Sequence, residues 1–169
     1  MLIYIVRHGD AGMATGAIPD SERKLTSKGE LQAQRIGIAL GVMDEVPEMV
    51  FTSPLARAFQ TAAIVVSALA IKTCEPKIYS LNCLSLGASV GDVFREMPGG
   101  GVRSLMMVGN NPILGPLVGI LVGGLHGSPI DLANGSIVCL ETYGSPRPGA
   151  ARLNYLLGEK AVAVIARSV

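Results

Sequence analysis

Residues 2–9 read Leu-Ile-Tyr-Ile-Val-Arg-His-Gly, and this stretch decides the fold. Residues 2–6 are large and apolar, with no alternation of polar side chains. Such a continuous run is typical of a strand that is covered on both faces within a parallel sheet. Ligands of open parallel sheets bind beyond the carboxyl ends of the strands. Arg7, His8 and Gly9, which follow the strand directly, are therefore the first residues to examine for a function.

Further along the chain, short apolar strands alternate with segments of helical periodicity. The predicted strands after the first are Met49–Thr52, Lys77–Leu81, Ser104–Val108, Ser136–Glu141 and Arg152–Leu156. The predicted helices run from Ser27 to about Met43, from Leu55 to Leu69, from Val90 to Met97, and from Asn111-Pro112 to Gly123-Gly124. This alternation predicts an α/β fold, a three-layer α/β/α sandwich with a mostly parallel central sheet. The last two strands predict a C-terminal antiparallel hairpin.

Three of the predicted helices have recognisable start signals. Thr26 is predicted to cap the first helix. Ser53-Pro54 predicts a second helix with Ser53 as its N-cap and Pro54 at the first helical position. Asn111-Pro112 repeats this pattern and predicts the start of the apolar fourth helix.

Length and composition favour one globular domain over residues 1–169. Of the 169 residues, 49% are hydrophobic and 16% are charged, which is sufficient for a single packed core. The net charge is +1 and the cations are scattered, so we expect no nucleic-acid partner. The longest apolar run, Ile113–Leu125, is shorter than the roughly 18 residues that a membrane span needs, so we expect no membrane partner either.

The cysteines and the N-terminal segment indicate a cytoplasmic protein. Cys74, Cys83 and Cys139 are an odd number of widely spaced cysteines and predict reduced thiols. The apolar N-terminal stretch reaches Arg7 too soon for a secretory signal. The chain has only two histidines and no cluster with metal-ligand spacing, so we expect neither a metal nor a cofactor.

Polar residues follow three of the predicted strands at the points where those strands end. These segments are residues 7–10, residues 52–57 and residues 109–112. Together they supply a histidine, two arginines and two helix N-termini, which match the nucleophile and the cationic donors that phosphoryl transfer requires. Each residue alone is more often structural or solvated. Their conjunction at one sheet edge favours a phosphoryl site.

The motifs resemble those of the histidine phosphatase (phosphoglycerate mutase-like) superfamily. Arg7-His8-Gly9 after an N-terminal strand is similar to its signature. The segments at residues 25–33, 53–62 and 108–112 read LTxxGxxQA, SPLxRAxQTA and VGxNP, and they are similar to three further blocks in family order. The resemblance runs from residue 2 to about residue 120. The small size and the absence of large insertions indicate the short phosphohistidine-phosphatase (SixA-like) branch.

The resemblance implies roles for individual residues. In this family the first histidine attacks the phosphoryl group and becomes phosphorylated, while arginines and a second histidine hold the oxygens. By position, His8 corresponds to the nucleophile, Arg7 and Arg57 to the phosphate clamps, and Gly9 belongs to the phosphate-binding set.

Two further residues have two interpretations each. Arg23, just ahead of the LTxxGxxQA block, is either another phosphate contact or a solvated loop charge. Asp20 stands where the small phosphohistidine enzymes have an active-site Asp, although a loop Asp before a Ser is equally typical of a turn.

The fourth block departs from the family pattern at Asn110. The block usually reads Gly-His-Asn-Pro, so Asn110 replaces the second catalytic histidine. An Asn side chain donates a neutral hydrogen bond, but it neither carries positive charge nor passes a proton. His126 cannot substitute, because the predicted helix places it roughly 20 Å away in a loop. Residues 80–88 also lack the carboxylate that mutase-like relatives use as a general acid.

The sequence therefore predicts a phosphatase that acts through a phosphohistidine intermediate on His8 without a metal. A phosphohistidine protein is the expected substrate class, because a phosphoramidate leaving group needs less protonation than an alkoxide. The alternative is a catalytically impaired relative that binds a phosphorylated protein or small ligand. A mutase is disfavoured by the missing carboxylate and the missing insertions. The sequence indicates no oligomeric state.

Overall fold

Six strands form the central sheet of the computed structural model, which describes residues 1–69, 76–99 and 101–168. The strands are β1 (Leu2–Arg7), β2 (Met49–Thr52), β3 (Lys77–Ser80), β4 (Ser104–Gly109), β5 (Ile137–Thr142) and β6 (Ala151–Leu157). They lie in the order β3-β2-β4-β1-β5-β6. The first four are mutually parallel, β5 is antiparallel to β1, and β6 is antiparallel to β5. The predicted parallel sheet and C-terminal hairpin are confirmed.

Helices cover both faces of this sheet. They are α1 (Ser27–Val42), α2 (Ala56–Ala68), α3 (Val90–Glu96), α4 (Asn111–Gly123) and α5 (Glu159–Ile165). One apolar core packs α1, α2 and α5 against strand residues that include Tyr4 and Met106. A second core packs α3 and α4 against strand residues that include Ile5 and Met107. Since neighbouring residues of a strand face opposite layers, both are buried, and the predicted three-layer sandwich is confirmed.

The start of α1 agrees with the prediction, whereas the start of α2 does not. Thr26 caps α1 and accepts a hydrogen bond from the Gly29 N–H at 3.1 Å. Helix α2 begins at Ala56 with Leu55 as its N-cap, so the predicted cap at Ser53 is wrong. The Ser53 N–H donates to the Val108 carbonyl at 2.9 Å, which keeps the chain extended beyond the end of β2. Pro54 consequently precedes the helix.

The start of α4 is one residue earlier than the motif suggested. Asn110 is the N-cap, and its side chain accepts a hydrogen bond from the Asn111 N–H at 2.9 Å. Asn111 and Pro112 are the first two helical residues. The helix is then mostly buried, as expected for a core helix, and the chain continues into a short 3-10 turn, Gly124–His126.

Helix α5 has no counterpart in the sequence prediction. Its N-cap is Gly158, which makes no side-chain cap hydrogen bond, and the helix is seven residues long. A short helix that contains β-branched valines and has no Ser, Thr, Asp or Asn at its N-cap lacks both a capping signal and a high helix propensity. Among the described helices, none is both long and apolar enough to pass through a membrane. Cys74 lies outside the described residues.

Candidate active site

A polar pocket of about 300 Å³ lies at the carboxyl edge of the parallel strands. Nine residues line it: Arg7, His8, Asp10, Ala11, Gly12, Arg23, Arg57, Asn110 and Asn134. The predicted candidates Arg7, His8, Arg23, Arg57 and Asn110 are thus brought together in one place.

The register of the sheet explains why these residues meet. Arg7 pairs with Gly109 across β1 and β4, so His8 and Asn110 leave adjacent strands at the same level. The His8 N–H donates to the Gly109 carbonyl at 3.0 Å and extends this pairing by one residue. Strand β2 lies on the other side of β4 and delivers α2, with Arg57 in its first turn.

The imidazole of His8 is held in a defined orientation. It is 4% exposed, and its Nδ1 lies 2.7 Å from the Gly9 carbonyl oxygen. A carbonyl can only accept, so Nδ1 carries a proton and donates. In the neutral ring the lone pair is then on Nε2. Nε2 is 3.0 Å from Nε of Arg57, which donates to it.

Burial sets the protonation of His8. Desolvation is the largest effect, and it lowers the pKa of His8 below its ordinary value. The positive charges of Arg57 and Arg7 lower this pKa as well, while hydrogen bonds with Gly9 and Asn110 act in the opposite direction. The lowered pKa of His8 favours the neutral ring at neutral pH, and a neutral ring has the Nε2 lone pair that a nucleophilic histidine requires.

Arg57 is the most deeply placed cation of the site, at 1% exposure. Its Nε–H bonds His8, and its two terminal nitrogens bond Asp20, one to the backbone carbonyl at 2.6 Å and one to the carboxylate at 2.9 Å. A buried guanidinium needs such pairing, because an isolated buried charge is costly. Asp20 therefore reaches the site through Arg57.

Arg23 and Asp20 form a second ion pair at the rim of the pocket. The Nε of Arg23 donates to the Asp20 carboxylate at 2.8 Å, and its terminal nitrogen donates to the backbone carbonyls of Ala11 and Gly12. The hydrogen bond from Arg23 is the main reason that the pKa of Asp20 is lowered, and Arg57 adds to it. Asp20 belongs to a short 3-10 turn, and it contacts the pocket residues Arg23 and Arg57 through these ion pairs.

The LTxxGxxQA block positions the segment that follows His8. Thr26 Oγ1 donates to the Asp10 carboxylate at 2.6 Å, and the Gln32 side chain accepts from the Asp10 N–H at 2.7 Å. A Cβ at Gly29 would lie 2.1 Å from the Asp10 carbonyl oxygen. Gly29 is therefore required so that α1 can pack directly on the backbone after His8.

The SPLxRAxQTA block fixes the same segment from the other side. The Gly9 N–H donates to Thr61 Oγ1 at 3.1 Å, and this hydroxyl donates to the Arg57 carbonyl at 2.7 Å. The Gln60 side chain accepts from the Leu25 N–H at 2.9 Å. The resemblance implies a phosphate-binding role for Gly9. In the structure its N–H is bonded to Thr61, and its carbonyl accepts from His8.

Arg7 is oriented by the loop that precedes β5. One of its terminal nitrogens donates to the Leu132 carbonyl, and Leu132 is held in turn by Asn111, whose side chain bonds Asp131 at 2.7 Å. The Nε of Arg7 is buried and finds no acceptor within the described residues. Arg7 also lines the pocket.

Sequence reasoning assigned no role to four residues of the pocket, and two of them, Asp10 and Asn134, carry polar side chains. Asn134 Nδ2 donates to the Gly9 carbonyl at 3.3 Å, the same acceptor that fixes His8. Because β5 is antiparallel, the loop at its start lies at the edge where the parallel strands end. Asn134 could have been found by examining the residues that directly precede β5, the antiparallel neighbour of β1. Asp10 directly follows the signature and had no spacing signal.

The remaining sequence expectations concern His126 and metal ligands. His126 is exposed at the far end of α4 from Asn110 and does not line the pocket. In the parts of the chain that the structure describes, no group of three or more His, Cys, Asp or Glu side chains is arranged to hold a metal ion.

Comparison with known proteins identifies the family. Residues 3–77 match the family model described as "Histidine phosphatase superfamily (branch 1)". An uncharacterised protein of Picosynechococcus is 32% identical over 155 residues, which cover 90% of this chain and 88% of that protein. Phosphohistidine phosphatase SixA of Escherichia coli is 31% identical over 125 residues, or 73% of this chain and 76% of that protein.

A solved structure agrees with the sequence relatives. It is the protein histidine phosphatase SixA complexed with tungstate, which matches 95% of this chain and 98% of its own with a TM-score of 0.79 and 26% identity. The chain therefore belongs to the histidine phosphatase superfamily, as a SixA-like phosphatase.

Proposed function

We propose that this phosphatase transfers a phosphoryl group to Nε2 of His8 and then to water, and that its preferred substrates are phosphohistidine proteins. One observation carries the proposal. The Gly9 carbonyl accepts the Nδ1 proton of His8 at 2.7 Å, so the lone pair of the buried ring is on Nε2, beside Arg57. A neutral, oriented imidazole between two arginines is suited to attack a phosphoryl group.

Arg57 has a double task in this proposal. Its Nε–H bonds the same His8 lone pair that would attack, at 3.0 Å. A phosphoryl oxygen that accepts from Arg57 would replace this bond and release the lone pair toward phosphorus. The nucleophile would then become available as the substrate docks. Arg7, which lines the same pocket, would hold a second oxygen through its guanidinium.

The substrate class follows from the groups around the pocket. Residues 80–88, where mutase-like relatives carry a general acid, contain no carboxylate and do not line the pocket. An alkoxide leaving group from a sugar phosphate would lack that proton donor. A phosphohistidine whose ring is protonated leaves as neutral imidazole and requires no acid. The relative named phosphohistidine phosphatase and the tungstate complex of SixA support the same class.

A turnover assay with matched substrates tests the proposal. A phosphohistidine peptide, its phosphoserine counterpart and p-nitrophenyl phosphate are compared by release of inorganic phosphate. We expect kcat/KM for phosphohistidine to exceed that for phosphoserine by at least about a hundred-fold, the scale of one missing acid catalyst. Equal values for the two peptides would contradict the substrate assignment. His8→Ala serves as the inactive control.

Asn110 supports a second candidate function, the binding of a phosphorylated protein without turnover. Its neutral side chain stands at the position of the family's second histidine, and losing one preorganised donor costs about 10²–10³ in rate. Binding of the ground-state dianion depends less on this donor than transfer does. If the chain binds a phosphohistidine peptide in calorimetry and releases no phosphate, the binding function takes precedence.

A further inference from the structure

The carboxylate of Asp10 is held at the pocket by a dedicated set of contacts. Thr26 Oγ1 donates to its Oδ2 at 2.6 Å, and the Thr26 N–H donates to its backbone carbonyl at 2.9 Å. Gln32 accepts its N–H at 2.7 Å, and Gly29 packs directly on its backbone. Within the described residues, the Thr26 hydroxyl is the sole hydrogen-bond donor to this carboxylate. Asp10 thus presents a fixed carboxylate with a free oxygen to a pocket that it shares with His8.

The other residues of the pocket cannot accept a proton from water. Arg7, Arg23 and Arg57 are cations, and the amides of Asn110 and Asn134 are not bases. His8 itself carries the phosphoryl group at the stage when water attacks. Asp20 accepts from Arg23 through one carboxylate oxygen and from Arg57 through the other, so both its oxygens are engaged in ion pairs.

We propose that Asp10 is the general base that activates water for hydrolysis of phosphorylated His8. This inference rests on the proposed phospho-His8 intermediate. It adds a catalytic residue to the second half of the reaction, in which water hydrolyses that intermediate. Asp10 lies two residues after the nucleophile and lines the same pocket, and a general base acts on a water within hydrogen-bond reach.

The step balances without a further reactant. The water oxygen forms a bond to phosphorus while the bond between phosphorus and Nε2 of His8 breaks. The electron pair of the broken bond returns to Nε2. The water proton passes to the free oxygen of Asp10 and leaves to solvent as inorganic phosphate departs. In the first half, the substrate imidazole departs without help from Asp10.

The Asp10→Asn variant separates the two halves of the reaction. It keeps the shape and the hydrogen bond from Thr26 but removes the base. Rapid-quench measurements with p-nitrophenyl phosphate record the nitrophenolate burst and the amount of phosphoenzyme. We expect a burst of about one equivalent at an unchanged rate, followed by dephosphorylation slowed about 10²- to 10⁴-fold, so that phosphoenzyme accumulates. Asp44→Asn makes the same change at an exposed residue that does not line the pocket, so it is the matched control and should behave as the parent.

The outcomes distinguish this inference from the proposed function. If phosphoenzyme forms in both proteins and Asp10→Asn hydrolyses it at the parent rate, Asp10 is not the base, while the phospho-His8 pathway stands. If both half-reactions slow equally, the role of Asp10 is structural and the inference is overturned. If turnover proceeds with no phosphoenzyme in either protein, the pathway itself fails. If Asp10→Asn retains its affinity for inorganic phosphate, the site of this variant is folded. Thr26→Val removes the hydroxyl that donates to Asp10, and it should also slow dephosphorylation.

Discussion

Arg57 and His8 share one hydrogen bond that links the second helix to the residue after the first strand. The donor is Nε of Arg57 and the acceptor is Nε2 of His8, 3.0 Å apart, and both side chains are almost completely buried. The two residues are 49 positions apart in the chain. The bond depends on the Nδ1–H tautomer that Gly9 selects, so it connects the architecture of the sheet edge with the chemistry of the nucleophile.

Arg57→Lys should lower kcat/KM by about 10²- to 10³-fold. Lysine keeps the positive charge but not the planar set of donors that bonds His8 and Asp20 at once. The measurement is steady-state kinetics with a phosphohistidine peptide. Arg152→Lys is the control, because Arg152 is exposed on β6 and bonds Glu141 far from the pocket. A loss of similar size in both variants would contradict the role of Arg57.

Gly29→Ala should disturb both stability and activity. The added Cβ would lie 2.1 Å from the Asp10 carbonyl oxygen, so α1 and the segment after His8 must separate. We expect a destabilisation of about 1–3 kcal/mol in urea unfolding and a fall of kcat/KM by more than about ten-fold. Gly91→Ala is the matched control in α3, where the nearest atom, Ser89 Oγ, is 3.6 Å away. Wild-type behaviour of Gly29→Ala would refute the packing argument.

As the pH is lowered, kcat/KM should stay constant through the ordinary titration range of histidine and should fall only at a lower pH. Burial lowers the pKa of His8 in the folded protein, and only the neutral ring can attack. Activity is therefore fully present above the unfolded value of about 6.5 and is lost as the pH falls through the lowered folded value. An acid limb at or above pH 6.5 would contradict this sign. Stability should follow the same direction, since the unfolded chain binds the His8 proton more readily.

Asn110→His should raise turnover by about a hundred-fold or more, with a smaller change in affinity for inorganic phosphate. An imidazolium at this position would stabilise the charge that develops during transfer, whereas the ground-state dianion would be held by Arg7 and Arg57 under the proposed function. Asn110 also caps α4, so the variant should lose about 1 kcal/mol of stability. An unchanged rate in a chain that already turns over rapidly would show that another group supplies the missing charge.

The sheet and its functional edge could be predicted because the signals are local. The apolar run of residues 2–6 marks a doubly covered strand, and residues 7–9 directly follow it. Each strand end could be placed at the same edge from the rule for parallel sheets alone. The errors occur where tertiary contacts compete with local preference. Ser53 has the chemistry of a cap, yet its N–H is bonded to Val108 and the helix begins later.

The residues that were missed depend on contacts between distant segments. Asn134 reaches the pocket because β5 runs antiparallel beside β1, and this pairing is not visible in a pattern of hydrophobic residues. Asp10 becomes distinctive only when Thr26, Gln32 and Gly29 are seen to surround it. The LTxxGxxQA block contains Thr26, Gly29 and Gln32, but the sequence does not show that these residues contact Asp10.

The residue that carries phosphate during turnover shows whether His8 is the nucleophile. The protein is quenched in alkali while it hydrolyses a phosphohistidine peptide or p-nitrophenyl phosphate, and the phosphorylated residue is identified by mass spectrometry and by ³¹P NMR against the two phosphohistidine isomers. We expect phosphate on Nε2 of His8 and none in His8→Ala, because Nδ1 is bonded to the Gly9 carbonyl. Phosphate on Nδ1, on another residue, or on no residue during measurable turnover would contradict it.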